Sequence, residues 1–389
     1  MKILVLTPRF PYPVVGGDRL RIHELCKSLS QEHQVDLLSL TEYANEADSY
    51  IDDGVYNKVH TIYLPKWKSY INSLFALFTP QPIQTKYYQY SKFQHKLNDI
   101  YSNYDLIICH LIRMANYVES INCPKILEMT DAISLNYSRY KTVNKTFDLR
   151  SIIYKIEQSR LYKYETKIVD KFSGTFLVSD YDKKYLFPKG KNNVHIASNG
   201  VSVDSFRPIF CSNSKKLVFI GNMYSSQNMD AALWFAKEVM PLLLQVDREY
   251  TFHVIGRIKV NDAKKFSNLS NVNIIGAVDN VNIACKEALA GICSVRLAAG
   301  VQNKILEYMA MKLPVISSEE GYQGLAAKVG YDILVCKDAE EFRDRVLQLS
   351  NNRCEAEKVS EAGYRYVLNY HSWSKKLSPL HSLIDKIAQ

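Results

Sequence analysis

The stretch Arg296-Leu-Ala-Ala-Gly-Val-Gln-Asn-Lys-Ile-Leu-Glu-Tyr-Met-Ala-Met-Lys-Leu-Pro-Val-Ile-Ser-Ser318 decides how this chain is read. It begins as a strand end and passes through a glycine turn at Gly300. A short helix follows, and a second strand opens at Pro314. Asn303 is expected to cap the helix. Val301 and Gln302 complete the turn beneath it. The first N–H groups of such a helix point at whatever lies above the strand end, an arrangement that suits a diphosphate. Lys304 and Glu307 are three residues apart and share one helix face. They offer a cation for phosphate and a carboxylate for ribose hydroxyls. The same spacing also describes an ordinary surface Lys–Glu pair.

Outward from this stretch, apolar strand-like runs alternate with helical patterns along the whole chain. The first half offers runs 3–6, 35–40, 59–64, 106–109, 126–129, 175–178 and 194–197. The second half offers 217–220, 251–255, 272–275, 291–295, 315–317 and 333–335. Near-continuous apolar strands separated by helices indicate parallel sheets covered on both faces. Two such sets predict an α/β protein with two Rossmann-like, doubly wound domains. A long helix is expected from about 151 to 170.

The length of 389 residues suits two or three domains. No apolar run approaches the roughly 20 residues of a membrane span. The opening run before Pro8 is too short for a signal peptide and reads as a first buried strand. The 8 cysteines form no C-x-x-C pair, which points to reduced thiols and a cytoplasmic protein without a zinc site.

The net charge is +9 and unevenly spread. Residues 55–98 contain no Asp or Glu, yet hold Lys66, Lys68, Lys86 and Lys92 among many aromatics, including Trp67, Tyr70, Phe75 and Phe78. Such a stretch suits an anionic membrane surface or a lipid-phosphate acceptor. A solvated helical excursion and a single-strand nucleic-acid surface have the same composition. The expectation carried forward is a membrane surface, with no nucleic acid.

Chemistry in an open α/β sheet gathers at the carboxyl ends of strands. After the first strand, Gly16 and Gly17 precede a helix, and Asp18, Arg19 and Arg21 follow. Without G-x-G-x-x-G the dinucleotide fingerprint fails. His110 ends the 106–109 run, and Asp131 lies just beyond the 126–129 run. In the second half, Gly221 and Asn222 follow the 217–220 run, and Arg257 follows Gly256. Arg296 and Lys304 flank the opening stretch.

Two segments then carry a resemblance. The 296–318 stretch resembles the donor-binding signature of the family 4 glycosyltransferases, with Glu307 matching the second Glu of an E-x7-E motif and Ala299 standing where the first would be. The segment Asn199-Gly-Val201, with Asp204, Phe206 and Pro208, resembles that family's hinge. The resemblance covers nearly the whole chain and implies the GT-B fold, with two domains facing each other across a cleft. Residues 1–204 would form an acceptor-binding domain, rejoined by a closing helix at 372–389. Residues 205–371 would bind the donor. Trp373 would be an inter-domain anchor or an ordinary core Trp.

The same resemblance implies retaining transfer from a UDP- or GDP-linked sugar to a lipid-linked glycan, as in O-antigen, capsule or exopolysaccharide assembly. The protein would work in the cytoplasm or on the inner leaflet, with neither metal nor cofactor. Asp131, His110 and Glu307 are the expected catalytic positions. Gly16, Gly17, Arg21, Gly221, Asn222, Arg257, Val278, Arg296, Gly300, Val301, Gln302, Asn303, Lys304 and Glu307 are the expected donor contacts. Family members often carry a His where Asp131 stands, and cations near Gly221. These departures, with Ala299, favour a degenerate nucleotide-binding scaffold as one alternative, and a UDP-sugar epimerase on the same fold is a further one. A nucleotide-dependent oxidoreductase using Glu42 as ribose acceptor fits less well, given the missing glycine fingerprint.

Overall fold

The computed structural model describes residues 1–14, 17–143, 149–203, 213–296 and 301–389. The chain divides into two compact units. One comprises Met1–Asn199 with Lys376–Gln389, and the other Gly200–Lys375.

The first unit is built on seven strands: β1 (Lys2–Thr7), β2 (Gln34–Thr41), β3 (Lys58–Tyr63), β4 (Leu106–His110), β5 (Lys125–Thr130), β6 (Gly174–Leu177) and β7 (Val194–Ile196). Their order is β3-β2-β1-β4-β5-β6-β7, and every pairing is parallel. The central strands are buried on both faces, which is why their sequences are apolar without alternation. The order reverses between β1 and β4, so a crevice opens there at the strands' carboxyl ends. The last residues of the chain belong to this unit. Leu383 occupies the space a side chain at Gly174 would need, and His381 Nε2 lies 2.8 Å from Ser28 Oγ.

The second unit repeats the plan with β8 (Lys216–Ile220), β9 (Thr251–Ile255), β10 (Val272–Gly276), β11 (Ala290–Cys293), β12 (Val315–Ser318) and β13 (Leu334–Cys336). The order is β10-β9-β8-β11-β12-β13, again all parallel. The switch point falls between β8 and β11. The two-sheet α/β architecture expected from the sequence is the one observed.

Three local expectations are corrected or left open. The long helix runs Leu149–Ile168, two residues ahead of its expected position. Asn303 does not cap the signature helix: it is the first helical residue, Gln302 precedes it, and no side chain caps the end. The turn enters the helix one residue earlier than the Asn preference suggests. Asp204, Phe206 and Pro208 of the hinge motif, and Gly16, Ala299 and Gly300, lie outside the described residues. Trp373 is buried against Gly200 within the second unit, where Val201 N–H donates to the His371 carbonyl at 2.7 Å.

Candidate active site

In the first unit, the ends of β4 and β5 converge on one carboxylate. Glu128 is fully buried and accepts from Arg21 Nε at 2.6 Å. His110 Nδ1 lies 2.6 Å from its other oxygen, and Thr130 Oγ1 donates to both oxygens at 3.1 and 2.9 Å. Burial alone would raise the Glu128 pKa. The Arg21 charge and the His110 hydrogen bond outweigh it and hold the carboxyl at about 2. A carboxylate that stays ionised fixes the His110 tautomer: Nδ1 carries the proton, and Nε2 is left as an acceptor. Nε2 has no protein partner among the described residues.

Both strands end in strain. Leu111, directly after His110, has φ +65°, and Thr130 has φ +67°. Non-glycine residues rarely adopt this region, and a β-branched Thr least of all. Such conformations cost on the order of 1–3 kcal/mol and collect at functional sites, where the surroundings enforce them.

Arg21, read from the sequence as a donor contact, is instead enclosed. Beyond Glu128, its guanidinium donates to Asn199 Oδ1 at 3.0 Å and to the Ala197 carbonyl at 2.7 Å. Its Nε, Nη1 and Nη2 each donate to a protein acceptor, so it braces β5 against the segment after β7. Glu128 itself was passed over in the sequence, where it reads as one more core position of an apolar strand. An acidic residue amid Ile126, Leu127 and Met129 was the available signal, because a buried carboxylate needs a partner.

Asp131 is exposed just beyond β5, and its N–H donates to the Met129 carbonyl at 2.9 Å. Gly17 starts its helix with open space where a side chain would be. Arg19 pairs with Glu46 at 2.6 Å, and Arg9 with Glu42 at 2.9 Å. Glu42 is thereby tied into an ion pair rather than presented to a ribose.

In the second unit, the signature helix Asn303–Ala310 is stitched to the sheet by Tyr308. The Tyr308 hydroxyl accepts from Ile220 N–H at 2.6 Å and lies 3.2 Å from the Ile292 carbonyl, joining β8 to β11. Its ring lies so close to Gly291 that an added Cβ would stand 2.3 Å away. Lys304 is one turn earlier on the same face. Its amino group sits 3.9 Å from the centre of the Phe219 ring and donates to Asn228 Oδ1 at 2.7 Å. Asn228 Nδ2 in turn donates to the Asn222 carbonyl at 3.1 Å. Burial pulls the Lys304 pKa down to about 8, against the attraction of Cys293 and Glu307. Glu307 keeps partial exposure and makes no ion pair within 4 Å among the described residues. Burial pushes its carboxyl up to about 7, opposed by Lys304.

Around this pair, Gly221 and Gly256 bring the ends of β8 and β9 into backbone contact. Gly256 has φ +132°, and an added Cβ would fall 1.8 Å from the Gly221 carbonyl oxygen, so only glycine fits. Arg257, next in sequence, is exposed and has no side-chain partner among the described residues. Asn222 is exposed at the same strand end, its Oδ1 accepting from Tyr224 N–H. Arg296 is exposed and forked onto Asp230 at 2.6 and 3.1 Å. Val278, Val301 and Gln302 are partly buried, and Asn303 is exposed. Lys304, Asn228, Asn222 and the Gly221 turn therefore meet at the β8/β11 switch point, with Arg257 at the neighbouring strand end. An uncapped helix start and a buried ammonium there are the chemistry that favours an anion.

Residues 214–352 match the family described as Glycosyl transferases group 1. Among solved structures, the chain is similar to Anabaena Alr3699/HepE in complex with UDP, at TM-score 0.70 and 12% identity over 99% of this chain and 100% of that one. It is similar to sucrose-phosphate synthase from Thermosynechococcus elongatus at TM-score 0.72 and 12% identity, over 100% and 99%. TarM aligns at TM-score 0.67 and 13% identity, over 98% of both chains. The chain has the GT-B fold, and residues 214–352 carry the match to a glycosyl transferase family. The expected fold is therefore the one found, and the match over 214–352 is to the expected enzyme class. A curated relative, an uncharacterized 44.6 kDa protein in the cps region of Klebsiella pneumoniae, is 20% identical over 97% of this chain and 98% of its own. Among the described residues, no helix is long and apolar enough to cross a membrane.

Proposed function

We propose that this chain is a retaining glycosyltransferase of family 4 type that takes a sugar from a nucleotide diphosphate and adds it to a lipid-linked glycan. The work would belong to surface-polysaccharide assembly at the inner face of the plasma membrane. The observation that carries the donor assignment is Lys304, buried beside Asn228 at the start of an uncapped helix and at a topological switch point. Burying an ammonium without a carboxylate partner is costly unless an anion arrives. The α- and β-phosphates of a nucleotide diphosphate sugar supply that anion. The solved structures of Alr3699/HepE with UDP and with UDP-glucose support a uridine donor. The cps-region relative supports a polysaccharide setting.

In this reading, negative charge grows on the departing diphosphate as the sugar becomes oxocarbenium-like. Lys304, Arg257 and the helix N–H groups stabilise that charge without a divalent metal. Glu307 holds the ribose. His110, its tautomer fixed by Glu128, presents Nε2 as an acceptor for a substrate hydroxyl. The acceptor's proton passes to the donor phosphate, so no separate base is required.

Thermal unfolding with UDP, GDP, ADP and their sugar conjugates, with and without EDTA, tests the donor. A ligand that binds only the folded chain raises its melting temperature. A shift selective for one nucleotide and unaffected by EDTA is expected. No shift with any nucleotide favours a degenerate scaffold, and conversion of a UDP-sugar without acceptor favours an epimerase.

A further inference from the structure

The helix Lys66–Ala76 carries its apolar stripe on the outside. Trp67, Tyr70, Ile71, Leu74, Phe75 and, one turn beyond, Phe78 fall at i, i+3, i+4, i+7, i+8 and i+11, which is one helical face. That stripe ordinarily packs on a core. Here Ser69 and Ala76 are the buried positions, while Trp67 is 60%, Phe75 67% and Phe78 84% exposed. Single exposed apolar residues need no explanation, but a full stripe is a contiguous patch that marks an interaction surface.

The outward orientation is held in place. Arg160 donates to the carbonyls of Ala76 and Leu77, each at 3.1 Å. Asn72 Nδ2 donates to the Gln89 carbonyl at 2.7 Å. The N–H groups of Ile83 and Gln84, just after the stripe, donate to Glu157 at 3.0 and 3.1 Å.

Charge selects the occupant. Between Val55 and Asn98 there is no acidic residue, and Lys66, Lys68 and Lys86 flank the stripe. Lys66 lies over the Tyr43 ring at 4.4 Å, and Lys68 over Tyr90 at 4.8 Å, so both ammonium groups are kept beside the apolar face. A second copy of this chain docked about a twofold axis would set lysines against lysines. An anionic bilayer meets both needs: the stripe enters the acyl boundary, Trp67 and Tyr70 sit at headgroup level, and the lysines face lipid phosphates.

We propose that this stripe inserts into the interfacial layer of an anionic lipid bilayer. The purpose of that insertion rests on the lipid-linked acceptor proposed above, but its test needs no sugar transfer. The full chain is sedimented with vesicles of phosphatidylglycerol and phosphatidylethanolamine, and with vesicles of phosphatidylcholine alone. Binding to the anionic vesicles is expected to be at least tenfold stronger. The Leu74→Ser, Phe75→Ser, Phe78→Ser triple variant is expected to lose at least tenfold in binding, with an unchanged melting temperature. Failure of the native chain to bind, or a triple variant that binds as the native chain does, overturns the proposal. So does a concentration-dependent dimer that the triple variant abolishes in the absence of vesicle binding, which gives the stripe to a second copy. Calorimetry with UDP on the same preparations reports the donor site separately, so failure of one reading is distinguishable from failure of the other.

Discussion

His110 Nδ1 and Glu128 Oε2 are 2.6 Å apart, both buried, at the ends of adjacent parallel strands. Glu128 touches no solvent, so its effect on any substrate must pass through His110, Arg21 and Thr130. It is a positioning residue. Glu128→Gln keeps the shape and removes the charge that sets the His110 tautomer. We expect kcat to fall about 10- to 100-fold, with KM for the donor nearly unchanged, because orientation matters most in the transition state. His110→Ala should lower kcat by at least as much. Steady-state kinetics on both variants checks this. A Glu128→Gln enzyme with native kcat would leave the carboxylate a purely structural role.

Glu128 also predicts an acid limb of stability. Its folded pKa of about 2 lies below the ordinary 4.5 of a glutamate, so the folded chain binds fewer protons than the unfolded one. The stability this contributes is complete above pH 4.5 and is lost as pH falls from there through about 2. The shift corresponds to about 3 kcal/mol. Urea denaturation of the native chain and of Glu128→Gln should show a gap at pH 6 that narrows below pH 4.5. A gap that does not change with pH would show that packing, rather than charge, carries the difference.

How much of this could be read in advance differs between the two halves of each strand–loop unit. Strands such as 3–6 and 106–109 are legible because burial on both faces demands an unbroken apolar run, and that demand is local in sequence. The signature helix is legible for the same reason, since Tyr308 and Lys304 share a face by spacing alone. Arg21 and Glu128 are 107 residues apart, and their pairing depends on the strand order rather than on any local pattern. The role of Arg21 was misread accordingly: a basic residue after a glycine loop resembles a phosphate contact until the fold supplies a nearer acid. Asn303 failed as a cap through a one-residue difference in where the turn enters the helix, the least legible kind of boundary.

Lys304→Ala should weaken nucleotide-sugar binding about 10- to 100-fold, the scale of a charged hydrogen bond of roughly 1.5–3 kcal/mol. Its pKa of about 8 adds a pH signature. In the ligand-free enzyme the ammonium is lost as pH rises through 8, so donor affinity should decline above that point and the decline should vanish in Lys304→Ala. Arg296→Ala should matter less, because Arg296 is exposed and already paired with Asp230. Calorimetry with the nucleotide between pH 6.5 and 9 separates the three proteins. Equal affinity for Lys304→Ala and the native chain would remove Lys304 from the site.

Glu307 runs the opposite way to Glu128. Burial holds its folded pKa up at about 7, above its ordinary 4.5, so the folded chain binds more protons than the unfolded one. Stability linked to Glu307 is therefore complete below pH 4.5 and is lost as pH rises through 7. Glu307→Gln removes that loss, and the variant should gain in stability relative to the native chain at pH 8, by on the order of 1–3 kcal/mol given the residue's partial exposure. The same substitution should cut turnover at least tenfold if the carboxylate holds the ribose, since an amide is a poorer acceptor for two hydroxyls. A stabilised but slow enzyme is the expected pairing, the usual mark of a group kept at a cost in stability for function. Melting curves at pH 5 and pH 8, with kinetics on the same samples, test both halves. A Glu307→Gln protein with native turnover would count against the ribose role, and one with no gain at pH 8 would count against burial as the source of the raised pKa.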